Sequence, residues 1–300
     1  MGAGRRVDVA KITFRDVSKI YGAQTARALA MRKAGRTKDE IRAETGATLA
    51  LDRASLDVAE SRIQVVMGLS GSGKSTLVRL VNRLISPTSG QVAVDGQLLA
   101  DLTTRALRDF RRHKVSMVFQ EFALFPHRSV LDNVAYGLGV RGLDRKPRYA
   151  AAERWIEKVG LTGYEAALPG ELSGGMKQRV GLARALATDP EILLMDEPFG
   201  ALDPLIRRDM QDELLALQKD LKKTILFITH DLNEALRLGD RIAIMKDGEI
   251  VQQGTPASIV QKPANAYVRA FLRTLPERPK TAKTVASRAK NGQQSKRQVK

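Results

Sequence analysis

The sequence predicts an α/β fold with a mainly parallel sheet core, an N-terminal antiparallel β portion and an inserted helical subdomain. Three observations predict it. Short apolar runs at Ile63–Met67, Val115–Phe119, Ile192–Met195, Thr224–Ile228 and Ile242–Met245 recur between helical patterns, as strands buried on both faces of a parallel sheet do. Lys11–Ile20 and Leu49–Val58 instead interleave apolar and polar residues, the habit of half-buried strands. Between Phe122 and about Leu186 the pattern is almost wholly helical.

Along the chain, the first strand stops at a turn, Tyr21-Gly22. Ala23–Thr48 is rich in helix formers and charges and is broken by Gly35 and Gly46, so it reads as a short helical insertion between two strands. Ile63–Met67 runs into the glycine-rich Gly68–Gly73, and then Thr76, Leu77, Leu80, Val81 and Leu84 take up helical spacing. The order is strand, loop, helix. Val130–Leu138, Ala151–Val159 and Lys177–Ala187 are the helices expected in the subdomain. The organisation expected is one domain over residues 1–275, with the insertion at 23–48 and the helical subdomain at about 122–186, followed by a tail over 276–300.

Composition narrows the chemistry. The 300 residues carry 50 Lys and Arg against 33 Asp and Glu, a formal charge of +17, and no cysteine. Disulfides, thiolate zinc sites and thiol nucleophiles are excluded. His113, His127 and His230 lie far apart in sequence, so a zinc enzyme is not expected. No apolar run approaches the roughly 18 to 20 residues that cross a bilayer, and Met1–Ile20 lacks the apolar segment of a secretion signal. A cytoplasmic protein is expected. Pro276–Lys300 holds eight Lys or Arg and one Glu without apolar periodicity, and is expected to be a disordered, solvated tail. A loose attraction of that tail to anionic lipid head groups also fits its composition. The body shows no basic pattern interleaved with aromatics, so nucleic acid is not expected as a partner.

Gly68-Leu69-Ser70-Gly71-Ser72-Gly73-Lys74-Ser75 fits G-x-x-x-x-G-K-[ST] in the strand-to-helix context that the motif requires. In such a loop the glycines let backbone N–H groups curl around phosphate oxygens, the helix start adds partial positive charge and Lys74 a full one. Ser75 is placed to ligate Mg²⁺. Gly68, Ser70, Gly71, Ser72, Gly73, Lys74, Ser75 and Thr76 form the candidate nucleotide-binding set, and the fold expected around them is that of a P-loop NTPase. A second element appears where the apolar Ile192–Met195 ends in Asp196 and Glu197, at the strand edge where open α/β sheets bind ligands. Asp196 suits Mg²⁺, held through water, and Glu197 suits orienting or deprotonating an attacking water. The other reading is that the two acids cap the helix following Pro198.

Leu172-Ser173-Gly174-Gly175-Met176-Lys177-Gln178 resembles the signature sequence of ATP-binding cassette (ABC) ATPases. Gln120, the Ala201-Leu202-Asp203 segment and His230 stand in the order such cassettes show, and the resemblance covers about residues 10 to 275. The resemblance implies a role for each. Tyr21 matches the aromatic that stacks on adenine, although an ordinary strand-end tyrosine would look the same. Gln120 matches the residue that contacts Mg²⁺ and the water and senses the membrane partner. Ser173 and Gly175 match groups that reach the γ-phosphate held by a second copy, so two chains are implied per active site. His230 matches the residue that touches the γ-phosphate, and Asp203 one that links the two sites across the dimer. Lys74, Gln120, Glu197 and His230 are thereby the candidate catalytic residues; Ser75, Gln120 and Asp196 are the candidate metal contacts.

Tyr21 to Gly68 spans 47 positions, long for a cassette, and the insertion supplies the excess. ATPases of importers for glycine betaine, proline betaine and choline have a similar insertion, and Gly68–Arg83, Met117–His127 and Met210–Leu214 also resemble that group. The resemblance implies ATP and Mg²⁺ as cofactors, and a homodimer working on transmembrane permease subunits at the cytoplasmic face of the inner membrane. A substrate-binding protein is an indirect partner. Many osmoregulatory members continue into paired nucleotide-sensing modules; here the fold is expected to end near Leu275, so gating by such modules is not expected. The alternatives are an importer ATPase for another small solute, a soluble ABC ATPase acting on nucleic acid or ribosomes, and a non-catalytic nucleotide-binding module.

Overall fold

The computed structural model describes residues 9–273. The expected domain end near Leu275 and the basic tail over 276–300 lie outside these residues. In chain order the elements are β1 (Ala10–Tyr21), α1 (Thr25–Lys33), α2 (Lys38–Thr45), β2 (Thr48–Ala59), β3 (Ile63–Met67), α3 (Lys74–Val81), β4 (Ser89–Val94), β5 (Gln97–Leu98), α4 (Thr104–His113) and β6 (Val115–Val118). Then come α5 (Val130–Val140), α6 (Arg145–Lys158), α7 (Gly174–Ala187), β7 (Ile192–Asp196), α8 (Pro204–Leu221), β8 (Thr224–Thr229), α9 (Leu232–Leu238), β9 (Arg241–Lys246), β10 (Glu249–Gly254), α10 (Pro256–Gln261) and α11 (Ala266–Leu272).

Two sheets result. The six-stranded sheet runs β10-β9-β3-β8-β7-β6, parallel throughout except for the β9–β10 hairpin. The four-stranded sheet, β2-β1-β4-β5, is antiparallel. Side chains of β3 alternate between two cores: Val66 joins Phe14, Leu56, Leu77 and Ile228 between the sheets, whereas Val65 and Met67 join Phe199, Met210 and Phe227 under α8 and α9. Both faces are therefore buried, which is why β3 reads as a mostly apolar run, with Gln64 its one polar residue. A third core, with Val134, Ile156 and Val180, holds α5, α6 and α7 together.

The insertion is a compact pair of helices. Thr37 and Glu40 form a capping box at the start of α2, and Gly46, with φ of 65°, ends it in the left-handed conformation. Ile20, Ala28, Ile41, Ala47 and Leu49 form its small core. Tyr21 pairs with Thr48 in the β1–β2 ladder, so the excursion leaves and re-enters the sheet at facing residues.

One expectation needs correction. The helical spacing carried to Leu84, yet α3 ends at Val81. Arg83 turns to φ of 51°, Asn82 Oδ1 accepts from the Leu84 amide, and the Arg111 guanidinium takes the Asn82 and Arg83 carbonyls. The Leu84 amide also closes back onto the Arg79 carbonyl around the left-handed Arg83, so backbone and side-chain bonds together end the helix. The expected N-terminal antiparallel portion is present as β1 and β2, and the β4–β5 hairpin, from after the phosphate loop, extends the same sheet.

Candidate functional site

The glycine-rich loop leaves the buried end of β3 and enters α3 at Gly73, whose φ is 100°. A Cβ on Gly73 would lie 2.5 Å from the Ala50 carbonyl oxygen, so β2 and the loop can approach only if this residue is glycine. Lys74, 4% exposed, donates from Nζ to the Gly68 and Leu69 carbonyls at 2.9 and 3.1 Å. It also stands 3.5 Å from Glu197 Oε1. Ser72 Oγ is buried in the loop without a hydrogen-bond partner.

An open cavity of about 500 Å³ lies over this loop. Its walls are Tyr21 with Thr48, Leu49 and Ala50 on one side, the loop and α3 start from Ser70 to Thr76 beneath, and Gln120 and Glu197 on the other. Tyr21 is 41% exposed, with Lys19 Nζ 5.0 Å from its ring centre, which leaves ring surface free for a flat ligand. Thr48, Leu49 and Ala50 were not singled out from sequence; the signal was available, since closing the insertion as a hairpin puts Thr48 opposite Tyr21.

At the end of β7, Asp196 is 5% exposed and accepts from Ser75 Oγ at 2.8 Å, with Arg79 Nη2 at 3.6 Å. Burial pushes its pKa up, the Glu197 charge adds to this, and the Ser75 hydroxyl, Arg79 and Lys74 oppose it. Glu197 follows with φ of 47°, a conformation costly for a side chain with a Cβ, while its amide donates to the Ile228 carbonyl. Its carboxylate lies between Lys74 and His230, whose Nδ1 is 2.8 Å from Oε2. The capping role considered for the two acids falls instead to Asp203, whose Oδ1 accepts from the Leu205 and Ile206 amides at the start of α8.

Ser173, Gly175 and Asp203 do not line the cavity. Ser173 caps α7, accepting from the Met176 amide, and the missing side chain at Gly175 lets α7 lie against Ile206 of α8. These residues form a second surface at the starts of α7 and α8. Arg207, Thr229 and Glu234, which the sequence reading left unassigned, join Asp231 and Leu202 behind it.

Ser75 and Asp196 offer two hard oxygens in contact, one of them on a carboxylate whose burial leaves it short of positive charge, and the Gln120 side chain faces the same cavity. Among the described residues no three His, Cys, Asp or Glu gather in a cluster that could hold a metal ion. That sparse set suits Mg²⁺, which takes one or two protein oxygens and completes its shell with phosphates and water.

Burial of Asp196 carries a stability cost that can be measured. A carboxyl whose folded pKa is raised weakens the fold as pH climbs through its ordinary value, and the cost is complete above the folded value. Asp196→Asn is therefore expected to stabilise the nucleotide-free protein at neutral pH by about 1 kcal/mol, as relief of active-site frustration commonly does. The gain should shrink on acidification. Thermal unfolding at pH 7 and pH 4 checks this, and an Asn variant no more stable than the parent at pH 7 contradicts the burial argument.

The fold and this site define a P-loop nucleotide-binding cassette. Residues 51–200 match the ABC transporter family model, and the chain belongs to that family. It is 56% identical to the glycine betaine transport ATP-binding protein OpuAA of Bacillus subtilis, over 87% of this chain and 63% of the relative. The chain thus spans less than two thirds of that relative's length. It is 55% identical to the trimethylamine N-oxide transport ATP-binding protein TmoW of Ruegeria pomeroyi, over 87% of this chain and 76% of the relative. A dimeric structure of MJ0796, a bacterial ABC transporter cassette, superposes with a TM-score of 0.68 and 33% identity, covering 82% of this chain and 98% of that one. No helix among the described residues is long and apolar enough to cross a membrane.

Proposed function

We propose that this chain is the ATP-hydrolysing subunit of an ABC importer, using ATP and Mg²⁺ to energise uptake of a quaternary amine such as glycine betaine, proline betaine or choline. The observation that carries the reading is the 56% identity with OpuAA, spread over 87% of the chain. The similar identity with TmoW supports a second reading, in which the cargo is trimethylamine N-oxide.

In this mechanism adenine stacks on Tyr21, and the loop amides from Gly68 to Thr76 with Lys74 hold the phosphates. Ser75, Asp196 and Gln120 would hold Mg²⁺, which would supply positive charge to offset that of the phosphates. An arriving γ-phosphate competes with Glu197 for the Lys74 ammonium, since the two side chains stand only 3.5 Å apart. The freed carboxylate then accepts a proton from the attacking water, while His230 keeps it aimed through the 2.8 Å contact and reaches the γ-phosphate. A second copy brings Ser173, Gly175 and the N-terminus of its fourteen-residue α7 to the same charge, and Asp203 links the two sites. Dimer closure acts on transmembrane permease subunits. The chain sits peripherally on the cytoplasmic face of the inner membrane, a substrate-binding protein delivers the solute, and nucleic acid is not a partner.

Reconstitution with the permease that co-purifies with it tests the reading. ATP-dependent uptake of radiolabelled glycine betaine is expected, with trimethylamine N-oxide competing weakly. Preferential uptake of trimethylamine N-oxide supports the second reading, and ATPase activity stimulated by nucleic acid and indifferent to any permease overturns both.

A further inference from the structure

We propose, resting on the hydrolytic reading above, that Arg207 and Glu234 are positioning residues that couple the turn bearing Asp203 to the strand end bearing His230. Arg207 lies in the first turn of α8. Its Nη2 donates to the Leu202 carbonyl at 3.0 Å, one residue before Asp203, and its Nη1 donates to Asp231 Oδ2 at 3.4 Å, one residue after His230. On the other flank of His230, Thr229 Oγ1 donates to Glu234 Oε2 at 2.6 Å and accepts from the Asp231 amide at 2.9 Å. Glu234, 4% exposed, also accepts from Gln211 Nε2 at 3.2 Å. His230 is therefore held on both sides by a network that ends on the Asp203 turn, and its imidazole meets Glu197.

The network is one bond short. Arg207 Nε is buried with no hydrogen-bond partner and stands 3.9 Å from Glu234 Oε1. Buried N–H groups are nearly always paired. A displacement of the α8 start by roughly 1 Å would bring the pair within hydrogen-bond range. An open cavity of about 520 Å³ beside Arg207, Gln211 and Glu234 leaves space for it. A push on Asp203 by the second copy is thereby turned into a firmer hold on the His230 backbone. Burial raises the Glu234 pKa, and Asp231 adds to that while Thr229, Arg207 and Gln211 oppose it, so the carboxylate has charge to gain from a closer guanidinium. Neither Arg207 nor Glu234 lines the nucleotide cavity, so both act through His230 and Asp203.

The test is a double-mutant cycle with Arg207→Met and the isosteric Glu234→Gln. Each single variant is expected to lower kcat about ten-fold with the ATP KM changed less than about two-fold, and the double variant to lose no more than the worse single one. Multiplied losses in the double variant, or losses that fall on KM, overturn the coupling. A second readout needs no turnover: in nucleotide-free protein the His230 imidazole resonance should shift in either variant while those of His113 and His127 stay put. An unmoved His230 signal also overturns the proposal. If the parent protein hydrolyses no ATP but the His230 shift is present, the coupling stands and the hydrolytic reading falls.

Discussion

Glu197→Gln is expected to bind ATP close to normally and to hydrolyse it about 10²–10³-fold more slowly, the usual contribution of a positioned general base. The substitution keeps the shape of the side chain and can keep the 2.8 Å contact to His230, but it removes the carboxylate that the proposed function assigns to accept the water's proton. Under the proposed function the two acids divide by position: Glu197, held at a positive φ of 47°, lines the cavity, whereas Asp196 accepts from Ser75. Single-turnover hydrolysis alongside equilibrium nucleotide binding checks it. Brisk turnover by the variant would remove Glu197 from its role.

Lys74→Ala should act on the other axis. The ammonium is 4% exposed, bonded to two loop carbonyls and 3.5 Å from Glu197 at the wall of the cavity. Charge-assisted hydrogen bonds of this kind are worth about 1.5–3 kcal/mol, so the ATP dissociation constant should rise by about 10- to 150-fold. The loss should be smaller for adenosine, which presents no phosphate to the loop. An unchanged ATP dissociation constant, measured by calorimetry, contradicts the assignment of the loop.

What was legible in the sequence follows from how burial writes itself into residue order. β3, β7 and β8 are covered on both faces, so Ile63–Met67, Ile192–Met195 and Thr224–Ile228 stood out as apolar runs, and the observed strands coincide with those runs or extend them by one residue. The β4–β5 and β9–β10 hairpins did not stand out. Both turn on Asp-Gly pairs, Asp95-Gly96 and Asp247-Gly248, with φ positive at each of the four residues, the pattern that favours two-residue hairpins. A search for apolar runs passes over them because β5 is only two residues long and β10 is mostly half-buried. The phosphate loop and the paired acids were readable because phosphate and metal chemistry dictates residue type at fixed spacing. The Arg207, Thr229 and Glu234 network was not, because it joins residues whose proximity comes from packing α8 and α9 over β8.

The same physical logic separates the two surfaces. Lys74, Ser75, Gln120 and Glu197 converge on one cavity, with Asp196 behind Ser75, while Ser173, Gly175 and Asp203 form another surface at the starts of α7 and α8. Under the proposed function, one chain's cavity is completed by the other chain's second surface, and ATP is the contact between them.

Sedimentation of the Glu197→Gln chain with and without ATP tests that claim most directly, because a variant that binds ATP without consuming it should hold the closed pair. The account predicts a monomer without nucleotide and with ADP, and a dimer containing two ATP molecules when ATP is present. A chain that stays monomeric while saturated with ATP, in the presence of Mg²⁺ or in its absence, would contradict it.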